Sequence, residues 1–181
     1  MQGSVDTALE NALMPMAASQ LPAERRVLLL APHADDEVFG SGGTLRLLAE
    51  AGATITVIVA SDGALGGAAG EPGAGTLIAE REAESRAAAG VLGYPAPAFW
   101  RLPDRGIRYG EALVVKVLDA MQAAQADLVF APALTELHPD HQALALAAAE
   151  ALRRLGGARR IAFYEVSAPL LPNTLIDITA C

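Results

Sequence analysis

The sequence predicts an α/β fold, a Rossmann-like open sheet that is doubly wound and mostly parallel, with helices on both faces. Three observations carry this expectation. Short apolar runs alternate with segments of helical spacing along most of the chain, the order that builds strand, helix, strand crossovers. The first such run, Arg26-Val27-Leu28-Leu29-Leu30-Ala31, is almost continuously apolar, as befits a parallel strand covered on both faces. Two loops dense in histidine and acid follow directly on apolar runs, which is where open α/β sheets bind their ligands.

Taken in order, residues 1–24 mix Ala, Met, Gln and Pro and read as an N-terminal arm or short helix, with Thr7 to Ala18 the helical candidate. Residues 25–181 read as one domain. After the first strand and the acidic Pro32-His33-Ala34-Asp35-Asp36-Glu37 segment comes a glycine-rich stretch, Phe39 to Gly43. A helix is expected from Thr44 with Gly52 as its stop. The β-branched run Ala53 to Ala60 predicts the second strand, and a glycine-dense loop, Gly63 to Gly75, follows it as a candidate lid. Thr76 to Ala89 predicts a helix capped by Thr76 and ended by Gly90 or Gly93. Ala98 to Leu102 predicts a strand, and Pro103-Asp104-Arg105-Gly106 a turn. Glu111 to Ala124 places Leu113, Val114, Val117, Leu118 and Met121 on one helical stripe. Strands over Leu128 to Ala131, Ile161 to Val166 and Thr174 to Ile178, and a helix over Pro139 to Leu155, complete the pattern.

Bulk properties exclude several functions. At 181 residues the chain is long enough for one substantial core. Much of its 52% hydrophobic content is alanine, and no apolar run reaches the roughly 18 residues that span a bilayer. A net charge of −8 argues against nucleic acid or an anionic membrane as partner. The arginine pairs (25/26, 153/154, 159/160) sit at the edges of apolar elements and read as solvated faces or helix ends. The single cysteine, Cys181, leaves no disulfide framework and no cysteine zinc site, and the N-terminus lacks a signal-peptide pattern, so a cytoplasmic setting is expected.

All three histidines fall in the two acidic loops, His33 in the first and His138 and His141 in the second. Like charges crowded at the mouth of an apolar core call for a cation or a shared proton. Two imidazoles and one carboxylate, His33, Asp36 and His141, suit a catalytic divalent ion, zinc first by ligand type. Of two adjacent aspartates only one can face the ion, which leaves Asp35 to take a proton from water. Glu37 reads as a loop cap or as backing for a ligand. An imidazolium held by Asp140 would stabilise an oxyanion or protonate a leaving amine. Spacing does not choose whether His141 or His138 is the ligand and which is the helper.

These residues resemble the LmbE-like, or PIG-L-like, zinc-dependent N-deacetylases. Pro32-His33-Ala34-Asp35-Asp36-Glu37 is similar to the family's (A/P)HxDDE motif and His138-Pro139-Asp140-His141 to its HPDH motif. Ser61-Asp62-Gly63 is similar to its Thr/Ser-x-Gly loop, Arg81 to Gly93 to its RxxE…LG helix, Leu102-Pro103-Asp104 to its LPD turn, and Asn173 to Ile178 to a later strand. The resemblance implies hydrolysis of an N-acetyl group on a small amino sugar or glycoconjugate. It implies zinc, or another divalent ion such as Fe2+, on His33, Asp36 and His141. Asp35 would be the base, His138 the oxyanion donor and Asp140 its orienting group, with Arg81 and Asp104 against sugar hydroxyls. Ala34 departs from the commoner proline. The family usually continues past the Asp177-Ile178 strand, so either the chain is a fragment or a second copy completes the pocket in a homo-oligomer. Two other readings are a zinc amidase acting on a peptide or antibiotic side chain, and a non-catalytic nucleotide- or sugar-binding module using Gly40-Ser41-Gly42-Gly43 as a phosphate cradle.

Overall fold

The computed structural model describes residues 18–66 and 74–181. All of the helix expected over Thr7 to Ala18 except Ala18 itself, and the centre of the glycine-dense loop, lie outside them. Among these described residues nine elements alternate in order: β1 (Arg26–Ala31), α1 (Asp36–Glu50), β2 (Thr54–Ser61), α2 (Ala74–Leu92), β3 (Ala98–Leu102), α3 (Glu111–Ala123), β4 (Leu128–Pro132), α4 (Pro139–Leu155) and β5 (Arg160–Tyr164). The strands form one sheet in the order β3-β2-β1-β4-β5, and every pairing is parallel.

Side chains of a strand point alternately to the two faces, so apolar runs such as Val27 to Ala31 feed two cores at once. Leu28, Leu30, Ile58, Ala60, Val129 and Ala131 pack with α3 and α4 on one side. Val27, Leu29, Ala31, Val57, Val59 and Phe130 pack with Leu45 and Leu48 of α1 and Ala89 of α2 on the other. The alanine-rich composition finds its reason in α4, whose buried face is largely Ala143, Ala145, Ala147, Ala148 and Ala151. Small side chains let that helix lie close to the sheet.

Three local expectations are corrected. The first helix begins at Asp36 rather than Thr44, so Gly40, Gly42 and Gly43 are helical and cannot form a phosphate-cradling turn. Their glycine character serves close packing instead: a Cβ at Gly40 would collide with the buried Tyr164 ring, and one at Gly43 would lie 2.8 Å from Ile178. Thr76 lies within α2 rather than capping it, and Gly90 is helical, while Gly93, at φ +83°, ends the helix with its N–H on the Ala89 carbonyl. Thr174 to Ile178 forms no strand. Leu175 exchanges bonds with Ser19 (Ser19 N–H to the Leu175 carbonyl, 2.6 Å), while Ile178 covers Gly43, so this segment is held by α1 and the chain before β1 rather than by the sheet.

The strand order reverses between β1 and β4, and the loops leaving these two neighbours diverge to open a crevice. The loop leaving β1 carries His33 to Asp35 and delivers Asp36 as the first residue of α1, and the one leaving β4 leads through Glu136 and His138 into α4.

Candidate metal centre

Asp36 is the first residue of α1 and is buried, its carboxylate folded back to accept the His33 N–H at 2.9 Å. The same oxygen, Oδ2, lies 3.2 Å from His33 Nδ1 and 3.2 Å from His141 Nε2. His141, in the first turn of α4, brings Nε2 to 3.3 Å from His33 Nδ1. Three donor atoms from two distant segments therefore form a nearly equilateral triangle. Two donors held about 2.0–2.1 Å from one ion at the tetrahedral angle stand about 3.3 Å apart, so the triangle fits a small divalent cation.

The far nitrogens of both rings face carboxylates, the usual backing of imidazole ligands. His33 Nε2 is 3.4 Å from Asp140 Oδ2 and 3.5 Å from Asp104 Oδ1. His141 Nδ1 is buried without a hydrogen-bond partner and stands 3.7 Å from Glu136 Oε2. Burial alone would lower the His33 pKa, but Asp36, Asp104 and Asp140 outweigh it and raise it above its ordinary value. Burial would raise that of Asp36, yet hydrogen bonds from His141 and His33 bring it down to about 2. Asp36 is thus held as a carboxylate, the form in which it could coordinate a cation.

Asp35 lines the cleft beside this triangle. Burial, helped by the charges of Asp36 and Glu37, raises its pKa, with Arg81 pulling the other way. Its backbone is strained at φ 149°, and the cause is visible: its N–H is held at 3.0 Å by the wholly buried Glu37, whose other oxygen takes the Ser85 hydroxyl. Glu37 is therefore the buttress of the loop.

His138 is the N-cap of α4, and its Nδ1 accepts the Asp140 N–H at 3.2 Å. It is the backbone of Asp140 that bonds the His138 ring. The Asp140 carboxylate, wholly buried, instead accepts the N–H groups of Arg105 (2.8 Å) and Ile107 (3.0 Å) and faces His33. Burial and the nearby His33 lower the His138 pKa, so the ring is neutral near pH 7, with its proton on Nε2.

Asp104 closes another side: its Oδ2 accepts the Leu65 N–H at 2.9 Å, and its own N–H bonds Asp62 Oδ1 at 3.1 Å, linking the two turns. Arg81 lies across Gly63 and Gly66, and a Cβ at Gly66 would be 2.6 Å from its guanidinium. The eight residues singled out from sequence thus gather at one site, an open cleft of about 300 Å³ for which Asp140 supplies backing rather than lining. Sequence reasoning missed Glu136, Arg105 and the Val166-Ser167 wall. Glu136, two residues before the HPDH segment, was the one with a signal, an acid in a loop already marked by histidine.

A family model described as PIG-L: GlcNAc-PI de-N-acetylase matches residues 28–152. The probable N-acetyl-alpha-D-glucosaminyl L-malate deacetylase 2 of Bacillus anthracis is 30% identical over 152 residues, covering 80% of this chain and 66% of that relative. The diacetylchitobiose deacetylase of Thermococcus kodakarensis is 26% identical over 121 residues, 65% of this chain and 45% of that one. The chain thus spans less than two thirds of the length of either. Among solved structures, the N,N'-diacetylchitobiose deacetylase from Pyrococcus horikoshii superposes with a TM-score of 0.80 at 24% identity, covering 98% of this chain and 74% of that one, a likeness of fold. Because the family model runs from β1 through α4, and so over both segments that build the donor triangle, this chain belongs to the PIG-L (GlcNAc-PI de-N-acetylase) family.

Proposed function

We propose that the protein is a metal-dependent N-deacetylase that hydrolyses the acetamide of an N-acetylated amino sugar or glycoconjugate, releasing acetate and a free amine. The observation that carries this is the triangle of His33 Nδ1, Asp36 Oδ2 and His141 Nε2, with Asp35 beside it in an open cleft. His33, Asp36 and His141 would hold the ion, zinc by donor type with Fe2+ the nearest substitute. Such an ion supplies Lewis acidity, which lowers the pKa of water toward neutrality and polarises an amide carbonyl.

The chain's own groups supply the proton traffic and the positioning. Asp35 takes the proton from the attacking water as the C–O bond forms, and its raised pKa lets it return that proton to the nitrogen as the C–N bond breaks. His138, neutral and carrying its proton on Nε2, donates a hydrogen bond to the oxygen on which negative charge develops. Arg81 and Asp104 face the cleft as partners for sugar hydroxyls, and Asp140 holds the Arg105 to Ile107 turn against His33. No helix among the described residues is long and apolar enough to cross a membrane. The acidic composition and the single cysteine support a small-molecule substrate met in the cytoplasm.

The test is a panel of N-acetylated sugars given to zinc-loaded protein, with detection of released amine. Asp35→Asn is expected to keep about one ion per chain and lose at least about 100-fold in kcat. Turnover by Asp35→Asn at the parent rate would remove the base assignment, and a parent inert on every N-acetylated sugar would remove the substrate class.

A further inference from the structure

Glu136 sits between β4 and α4 with its side chain wholly buried, and among the described residues no Lys or Arg pairs with it. A buried carboxylate is costly unless its oxygens are satisfied. Here they accept the N–H of Val166 (2.6 Å), that of Ser167 (3.1 and 3.3 Å), that of Ala168 (3.4 Å) and the Ser167 hydroxyl (2.7 Å). That set makes Glu136 the staple of the loop after β5, whose Val166 and Ser167 form a wall of the cleft. The staple leaves one thing unexplained. Oε2 also faces His141 Nδ1 at 3.7 Å, and that nitrogen is buried without another partner.

A neutral imidazole has one proton to place. On Nε2 it would occupy the position that the donor triangle needs as a lone pair; on Nδ1 it points at Glu136. We infer that Glu136 is a positioning residue for the metal centre: it accepts the hydrogen bond of a His141 Nδ1–H, leaves Nε2 free as a ligand, and with the same carboxylate ties His141 to the Val166-Ser167 wall. This rests on the metal-dependent reading above. A carboxylate so placed both fixes ring orientation and strengthens the ligand.

The discriminating comparison is zinc affinity, by competition with a chelator, in the full chain, in Glu136→Gln and in Ser167→Ala, together with the imidazole N–H resonances of the zinc-loaded parent. Glutamine keeps the volume and one acceptor but presents an amide where Oε2 stood. Its zinc affinity is expected to fall about 10- to 100-fold. Ser167→Ala, which weakens only the staple, is expected to stay within about twofold of the parent. The parent should show a low-field His141 Nδ1 proton protected from exchange with water. A folded Glu136→Gln with parental affinity overturns the inference alone, leaving Glu136 a loop staple. Should Glu136→Gln fail to fold, a His141 Nδ1 proton in rapid exchange in the zinc-loaded parent overturns it instead, and a protected one supports it. A parent that binds no zinc overturns the metal-dependent reading and this inference together.

Discussion

At the scale of single residues, the site is a set of acids kept in different states by their surroundings. Asp36, bonded by two imidazoles, is held ionised, whereas Asp35 next to it is pushed toward protonation by burial and by its acidic neighbours. Asp35 also carries backbone strain at φ 149°, maintained by the buried Glu37. Strain of this kind costs about 1–3 kcal/mol and persists only where the surroundings over-determine it. Both Asp35→Ala and Asp35→Gly remove the carboxylate, but only glycine relaxes the dihedral. Asp35→Gly is therefore expected to be about 1 kcal/mol more stable than Asp35→Ala in denaturant titrations, with both lacking turnover. Equal stabilities would mean that the loop bears no strain.

At the scale of elements, two contacts hold helices to the sheet in ways that sequence did not announce. Gly40 in α1 lets Tyr164 of β5 pass, and the Tyr164 hydroxyl donates to the Leu30 carbonyl of β1 at 2.9 Å. Alanine at position 40 gains helix propensity but collides with the ring and the Glu165 carbonyl, for an expected net loss of about 1–2 kcal/mol, read as a lower Tm. On α2, Glu82 receives both Arg101 Nε (2.6 Å) and Nη2 (2.9 Å) from β3 and Arg86 Nη2 (2.7 Å). The Arg101 bonds lead in lowering its pKa from the usual 4.5 to about 2. A carboxyl lowered on folding adds stability above pH 4.5 and loses it as pH falls toward about 2. The Tm gap between parent and Glu82→Gln should accordingly narrow across that range; a gap independent of pH would assign the loss to packing alone. Propensity and spacing located every strand of the sheet to within about two residues, since apolar runs bounded by turns are a local signal. They misplaced the start of α1 because three glycines in five residues read locally as a loop, while their tertiary role is close approach.

At the scale of the whole molecule, the sheet order brings the ends of β1 and β4 side by side, so His33 and His141, 108 residues apart in sequence, meet at one point. A site that exists only in the folded chain links ion binding to stability. At an ion concentration 100 times Kd, the folded state should gain about 2.7 kcal/mol. Thermal unfolding is therefore expected to shift down when a chelator strips the parent, and to show no such shift in His141→Ala. An unchanged Tm on chelation of a demonstrably loaded parent would mean that the ion is held elsewhere, by groups that also bind it unfolded.

By itself the sequence determined the alternation of strands and helices and named the acids and histidines that line the cleft, because apolar periodicity and a few acids and histidines beside strand ends are local facts. Which nitrogen of each imidazole faces the triangle was decided by tertiary structure. So were the engagement of Asp140 by Arg105 and Ile107 and the union of the far loop with His141 through Glu136. Those outcomes depend on distances between segments far apart in the chain, set by sheet order and by how closely glycine and alanine let the helices approach.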